Sequence, residues 1–223
     1  METSLHRQLK ALYGESEESV EVVLGDYRID AVVDGRLIEI QYSSLAAIRD
    51  KIRTLCQSHV VVVVKPLAAR KVLIKKAGRG GRDVTTRTSP LRETVYHLFA
   101  ELVHFVNVFP HPNLTLDVLL TEQEEHRRMI KARRWRKDYK VEDRLLLGIV
   151  GRYSLRTASD LANLLPPNLT EPFSTLELAK AAGIPRWLAQ KTCYCLRKTG
   201  AMIQVGKKGN AWIYQVPKDR AAS

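Results

Sequence analysis

The chain is short of cysteine, of aromatic residues and of long apolar runs. Its three cysteines in 223 residues form no Cys-x-x-Cys pair, which argues against a disulfide scaffold and a structural zinc site and fits a reducing compartment. Cys193 and Cys195 fall on different sides of the helix expected there, and Cys56 is distant in sequence. No stretch approaches the roughly 20 apolar residues of a membrane span. The N-terminus lacks a charged-then-apolar leader, so a cytoplasmic chain with no membrane contact is expected. The glycine-rich stretch Gly78 to Gly81 has no Gly-Lys-Ser/Thr ending, which argues against a nucleotide-binding P-loop. Asn113-Leu-Thr115 and Asn168-Leu-Thr170 match the glycosylation pattern only by chance in such a compartment.

Acidic residues are also scarce: 24 Asp+Glu face 36 Lys+Arg, a net charge of +12. The imbalance is local. Residues 1–121 hold 16 basic and 14 acidic side chains, a net of +2, and residues 122–223 hold 20 and 10, a net of +10. A near-neutral half joined to a basic half points to a polyanion partner, with DNA expected first. Hydrophobic content of 45% and charged content of 27% are ordinary for a globular chain, and this length holds one large domain or two small ones.

The richest stretch runs from Gly25 to Gln41. Two β-branched runs flank Asp34-Gly35, the dipeptide of a two-residue hairpin turn. With 34 and 35 as the whole loop, paired positions sum to 69, so Ile29 faces Ile40, Ala31 faces Ile38 and Asp30 faces Glu39. Ile29, Ala31, Val33, Ile38 and Ile40 form an apolar face. Asp30 and Glu39 share the other face, their Cβ atoms about 5 Å apart, with Gln41 beyond Glu39 and Arg28 opposite it. Two carboxylates at that spacing repel unless a cation sits between them. The pattern points to a metal site on a sheet; Arg28 or Arg36 as plain counter-ions to Asp30 is the alternative.

Ahead of the hairpin, Leu5, Leu9 and Leu12 mark a helix over residues 2–13, and Val20 to Leu24 a strand. After it come a helix from Leu45 to Gln57, a buried strand over the five valines Val60 to Val64, and a further strand over Lys71 to Lys75. Ala77 to Pro90 reads as a loop whose Arg79, Arg82 and Arg87 could meet phosphates. A helix is expected over Pro90 to Val108, and a strand over Leu114 to Leu120. Glu122 to Lys140 reads as a basic connector helix, with eight Lys/Arg among the fourteen residues 127–140 and Trp135 and Tyr139 between them. Within it, Arg134, Arg136 and Lys137 are candidate phosphate contacts.

Residues 142–217 carry a second pattern: a helix over Glu142 to Val150, the capping box Ser174-Thr-Leu-Glu177 opening a helix to Ala182, and Gly183 as its turn. A longer helix follows from Pro185 to Thr199, then strands over Ala201 to Val205 and Ala211 to Val216. Leu188, Thr192, Cys195 and Leu196 are expected to face inward on the long helix. Arg186, Gln190, Lys191 and Arg197 lie on or near its exposed side, the Arg and Gln side chains in reach of base edges in a major groove, and Lys207 and Lys208 in reach of a neighbouring phosphate or minor groove.

These residues carry a resemblance. Asp30…Glu39-Ile40-Gln41 on a hairpin, followed by a helix and an apolar strand, resembles the core of the PD-(D/E)XK nuclease superfamily, in the variant with Gln for Lys seen in CoiA-like proteins. The element order is similar to that of archaeal Holliday-junction resolvases. Glu2-Thr-Ser-Leu-His6, Leu37-Ile-Glu-Ile-Gln41, His111-Pro-Asn-Leu-Thr115 and Leu188-Ala-Gln-Lys191…Tyr194-Cys-Leu-Arg197 resemble the recurrent words of a bacterial family with such a core and a winged helix behind it. The resemblance implies an α/β fold with a restriction-endonuclease-like mixed sheet flanked by helices and a smaller winged helix-turn-helix. The expected division is a nuclease-like domain over 1–121, the connector over 122–140, the winged helix over 141–217 and a disordered tail over 218–223. It also implies Mg²⁺ or Mn²⁺ held by Asp30, Glu39, the Ile40 carbonyl and Glu2, with Gln41 and Arg28 completing a site that hydrolyses duplex or branched DNA. Many nucleases of this fold act as dimers, which leaves a homodimer open. Glutamine has no titratable proton and orients water only through hydrogen bonds, so a DNA-binding regulator with a degenerate nuclease core is the alternative, and an RNA-processing factor a third.

Overall fold

The computed structural model describes residues 2–14, 20–77, 82–130 and 138–217. The chain forms two compact units, each drawn from three stretches: residues 1–42, 64–94 and 118–153 in the first, and 43–63, 95–117 and 154–223 in the second. Helix α1 (Ser4–Tyr13) buries Leu5 and Leu9, and the Gly14 N–H closes it on the Lys10 carbonyl. Strands β1 (Val20–Leu24), β2 (Tyr27–Val33) and β3 (Arg36–Ile40) form an antiparallel meander. Asp34 and Gly35 take φ of 47° and 71°, the two left-handed residues that the tight hairpin turn requires. The pairs Val33↔Arg36, Val32↔Leu37 and Ala31↔Ile38 keep the expected register. Ile29, Ala31, Ile38 and Ile40 are buried as expected.

A 3₁₀ turn (Leu45–Ile48), capped by the Ser44 hydroxyl, leads into α2 (Arg49–Leu55). Then β4 (Val61–Lys76) runs for 16 residues as one strand where two were expected. β5 (Asp83–Thr88) pairs antiparallel with it, so six of the fourteen residues of the expected loop over 77–90 form a strand. Thr85, Thr86 and Thr88 lie opposite Lys75, Ile74 and Val72, and β-branched residues suit that setting. The helix expected over Pro90 to Val108 shrinks to a 3₁₀ turn (Val95–His97) and α3 (Leu98–Leu102). Glu93 explains part of this: its N–H donates to the Ala68 carbonyl and its carboxylate accepts the Ala68 N–H, which ties the segment to β4.

The largest correction concerns residues 122–150. Instead of a connector helix and a second helix, β6 (Leu114–Met129) and β7 (Tyr139–Leu155) form a long hairpin. It is still paired at Ile130 N–H to Asp138 O, 3.0 Å. Burial alternates through its polar part, with Thr121, Gln123 and Glu125 at 0%, 0% and 3% exposure. That is the period of a strand; charges on every side leave a helix no apolar stripe to bury. The seven-stranded mixed sheet has the order β1-β2-β3-β4-β6-β7, with β5 on β4. α1 covers the β7 edge at Asp143 to Leu146. The Gln8 amide accepts the Leu146 N–H at 2.9 Å and donates to its carbonyl at 3.3 Å, and Ser4 binds the Asp143 carboxylate. Over that stretch the edge is closed to a foreign strand.

The C-terminal part of the second unit is a three-stranded antiparallel sheet with helices. α4 (Ala158–Ala162) carries a Thr157/Asp160 capping box and is the first helix here, since the residues of the helix expected over 142–150 lie in β7. β8 (Phe173–Ser174) precedes α5 (Thr175–Ala182), whose Ser174/Glu177 capping box forms as expected, and Gly183 ends it at φ 62°. α6 (Arg186–Lys198) buries Leu188, Thr192, Cys195 and Leu196, the inward face read from the sequence. β9 (Ile203–Lys208) and β10 (Ala211–Gln215) complete the order β8-β10-β9. No described helix is long and apolar enough to cross a membrane.

Candidate metal centre

Asp30 sits just past the paired β2–β3 register, and its carboxylate holds β3 and α1 together at that point. Oδ2 accepts the Ile40 N–H at 2.8 Å, and Oδ1 lies 3.0 Å from His6 Nε2. Ile40 therefore meets Asp30 through its N–H, on the backbone group next to the carbonyl expected to bind metal. Glu2, just ahead of α1, and His6 and Lys10 on it recur every four residues and meet on one side. The Lys10 ammonium is 2.7 Å from Glu2 Oε1, 2.7 Å from Glu21 Oε1 and 3.8 Å from Asp30 Oδ1. Three carboxylates thus converge on one cation, and His6 Nε2 is 3.6 Å from Glu2. Among the described residues, no three His, Cys, Asp or Glu side chains are disposed to hold a metal ion; the ammonium is the charge they share. The donor set is nonetheless hard carboxylate oxygen, the chemistry that Mg²⁺ and Mn²⁺ select.

Glu21 was not expected here. It lies across β1–β2 from Asp30, between the pairs Val20↔Ala31 and Val22↔Ile29, and has φ of 61°, uncommon for a side chain other than glycine. Its other oxygen binds Arg28. Arg28 is 68% exposed at the side chain, so the structure places it on Glu21, at the rim. Glu39 and Gln41 are both buried, at 8% and 9% exposure. The Gln41 N–H donates to the Val64 carbonyl at 2.9 Å. Lys65, also buried, donates from its ammonium to the Tyr42 carbonyl at 3.0 Å. Lys10 was legible as the third member of the Glu2, His6 stripe; Glu21 was legible only as the residue facing Asp30 once β1 is placed.

Burial pushes the Asp30 carboxyl up, but the bonds from His6 and Ile40 and the charge of Lys10 outweigh it and hold it below its ordinary value. For Lys10 burial pulls down, and Glu2, Glu21 and Asp30 together raise it above its ordinary value. A depressed carboxyl contributes stability above its unfolded pKa, near 4, and loses it as pH falls through the folded value. Urea midpoints recorded from pH 7 to pH 2 are therefore expected to fall on the acid side, and to fall less steeply in Asp30→Asn. Cys56 is pushed up to about 11 by burial, and Cys193 and Cys195 to about 12, so none of the thiols is poised as a nucleophile.

On the C-terminal module, Arg186, Gln190 and Arg197 are exposed along α6, and Lys191 is half-buried with its ammonium 5.6 Å from the Trp187 ring. Lys207 and Lys208 are exposed on β9, with Lys207 4.0 Å over Trp212. Arg134, Arg136, Lys137 and Trp135 lie outside the described residues, as do Arg79, residues 15–19 and the tail over 218–223.

A family defined as "Domain of unknown function (DUF8091)" matches residues 3–156. The chain belongs to the DUF8091 family. The match begins just ahead of α1 and ends just after β7, so it takes in every strand of the large sheet and leaves out the C-terminal helices. The chain is also similar to an uncharacterized protein of Treponema pallidum (strain Nichols), 28% identical over 219 residues that cover 96% of this chain and 85% of the relative. No solved structure matches the chain.

Proposed function

We propose that the chain is a metal-dependent nuclease that hydrolyses phosphodiester bonds in DNA, with a restriction-endonuclease-like sheet and a winged helix that holds the duplex. The observation that carries this reading is the convergence of Glu2, Glu21 and Asp30 on a single cation position beside the β2–β3 opening. Asp30, Glu39, the Ile40 carbonyl and Glu2 would hold Mg²⁺ or Mn²⁺. When bound, such an ion lowers the pKa of a coordinated water and offsets charge on the scissile phosphate. Lys10 offsets part of the carboxylates' charge in the free protein, so a metal ion would take the place of the ammonium. His6, bonded to Asp30, can hold a proton at Nε2. Gln41 orients water through its amide, and Lys65 supplies the positive charge that glutamine lacks. Arg28, exposed at the rim, is placed to meet an incoming phosphate. Cleavage of plasmid and branched DNA with and without the divalent ion tests the reading.

The same Lys10 geometry favours a second reading, in which the ammonium is a permanent counter-ion and the chain is a non-catalytic DNA-binding scaffold. Metal-independent, sequence-specific duplex binding with no cleavage would support it. Either way the module's basic side chains would meet DNA phosphates. Replacing Lys207 and Lys208 together by Gln is expected to weaken duplex binding and to reduce the slope of log K against log salt by about 2. Fluorescence anisotropy across a salt series measures both, and an unchanged slope would remove the hairpin from the interface.

A further inference from the structure

The hairpin that replaces the expected connector helix builds a second charged cluster, separate from the Lys10 carboxylates. Glu125 is 3% exposed. Its Oε1 accepts from Arg127 Nε at 2.7 Å, its Oε2 accepts from Arg144 Nε at 2.9 Å, and the Lys71 ammonium lies 3.7 Å away. Aromatic rings set the two guanidinium positions: Arg127 lies 4.0 Å over Tyr139 and Arg144 lies 4.5 Å over Tyr42. Lys71 also donates to the Tyr42 hydroxyl at 3.3 Å, which in turn donates to Gln123 Oε1 at 3.4 Å.

The charges do not balance. Three cations meet one carboxylate and leave two positive charges over, on side chains only 16%, 13% and 23% exposed for Lys71, Arg127 and Arg144. Like charges held this close and this dry repel one another unless an anion joins them. Arg144 offers Glu125 only its Nε, and among the described residues its terminal nitrogens have no protein acceptor. A guanidinium with free terminal N–H groups, a second guanidinium and an ammonium at one point are the donors that select phosphate-like oxyanions.

We propose that Lys71, Arg127 and Arg144 form an oxyanion site that takes a phosphate group, with Glu125 as the carboxylate that gathers the three cations. The site needs neither metal nor cleavage and so stands apart from the nuclease reading. Its phosphate comes from a nucleic-acid backbone or from a free phosphate ion.

The test is thermal unfolding of the full chain in inorganic phosphate against sodium chloride at equal ionic strength. About 10 mM phosphate is expected to raise Tm by about 3–5 °C beyond chloride, in a saturating manner. Arg144→Gln and Lys71→Gln are each expected to raise the half-saturating concentration at least about tenfold. Lys71→Gln removes only the most distant of the three cations, so it keeps the test valid if Arg144→Gln does not fold. An unphosphorylated oligonucleotide that suppresses the phosphate response assigns the site to a backbone phosphate; an unaltered response assigns it to the free ion, and both support the site. No shift beyond chloride, or an unchanged half-saturation in folded Lys71→Gln, would overturn it.

Discussion

Asp30→Asn and Glu39→Gln are each expected to lower metal-dependent DNA cleavage by on the order of 10²–10³-fold, the scale seen when one charge-stabilising group is removed from an active site. Both changes are close in shape to the native residues, so the loss should appear in turnover with the fold intact. Asp30 carries the larger expectation, because its carboxylate joins the Ile40 N–H, His6 and the Lys10 ammonium in one network. Arg28→Ala is the contrasting variant. Its guanidinium is exposed and bound to Glu21, so a loss of less than about tenfold is expected. Single-turnover rates at saturating Mn²⁺ rank the three, and equal rates for all three would detach the β2–β3 carboxylates from the chemistry.

Lys10→Met is expected to act on stability and on metal response in opposite directions. Removing the ammonium leaves Glu2, Glu21 and Asp30 facing one another without their shared cation. Breaking a fully buried pair costs about 3–5 kcal/mol. Here the side chains of Glu2 and Glu21 are 32% and 36% exposed, and water screens part of the repulsion, so about 2 kcal/mol is the expected loss in chelator. Mn²⁺ or Mg²⁺ should then restore stability more strongly than in the wild type, because the ion no longer competes with an ammonium. Urea unfolding with EDTA and with excess divalent ion measures the difference. If the ion stabilises the variant no more than the wild type, the three carboxylates are a structural network around Lys10.

The hairpin was legible because Asp34-Gly35 and the flanking β-branched runs leave one register, and that register is the one found. The C-terminal helices were legible for a similar reason: Ser174, Glu177 and Gly183 mark the ends of α5, and Leu188, Thr192, Cys195 and Leu196 mark the inner face of α6. Residues 122–150 were misread because Glu122 to Arg128 carry polar side chains on both faces of the strand, and hydrophobic period is then no guide. The signal was present only as tertiary burial of Thr121, Gln123 and Glu125. The same error hid the Glu125 cluster, whose members come from that hairpin and from β4, which sequence order does not place beside β6. At the candidate site, Asp30 was read from the hairpin spacing and Glu2 from the family resemblance, and His6 entered only as part of the same word of sequence. Lys10 continues the spacing of Glu2 and His6, but a lone lysine on a short helix reads as a surface charge, and Glu21 comes opposite Asp30 only once β1 is placed.

The most direct measurement is incubation of the wild-type chain with supercoiled, linear and branched DNA in Mg²⁺, in Mn²⁺ and in EDTA. The account predicts nicking or linearisation of at least one substrate in a divalent ion and none in EDTA. Binding to all three substrates with no cleavage in any ion would contradict it, and would make Lys10 the resident cation of a DNA-binding scaffold.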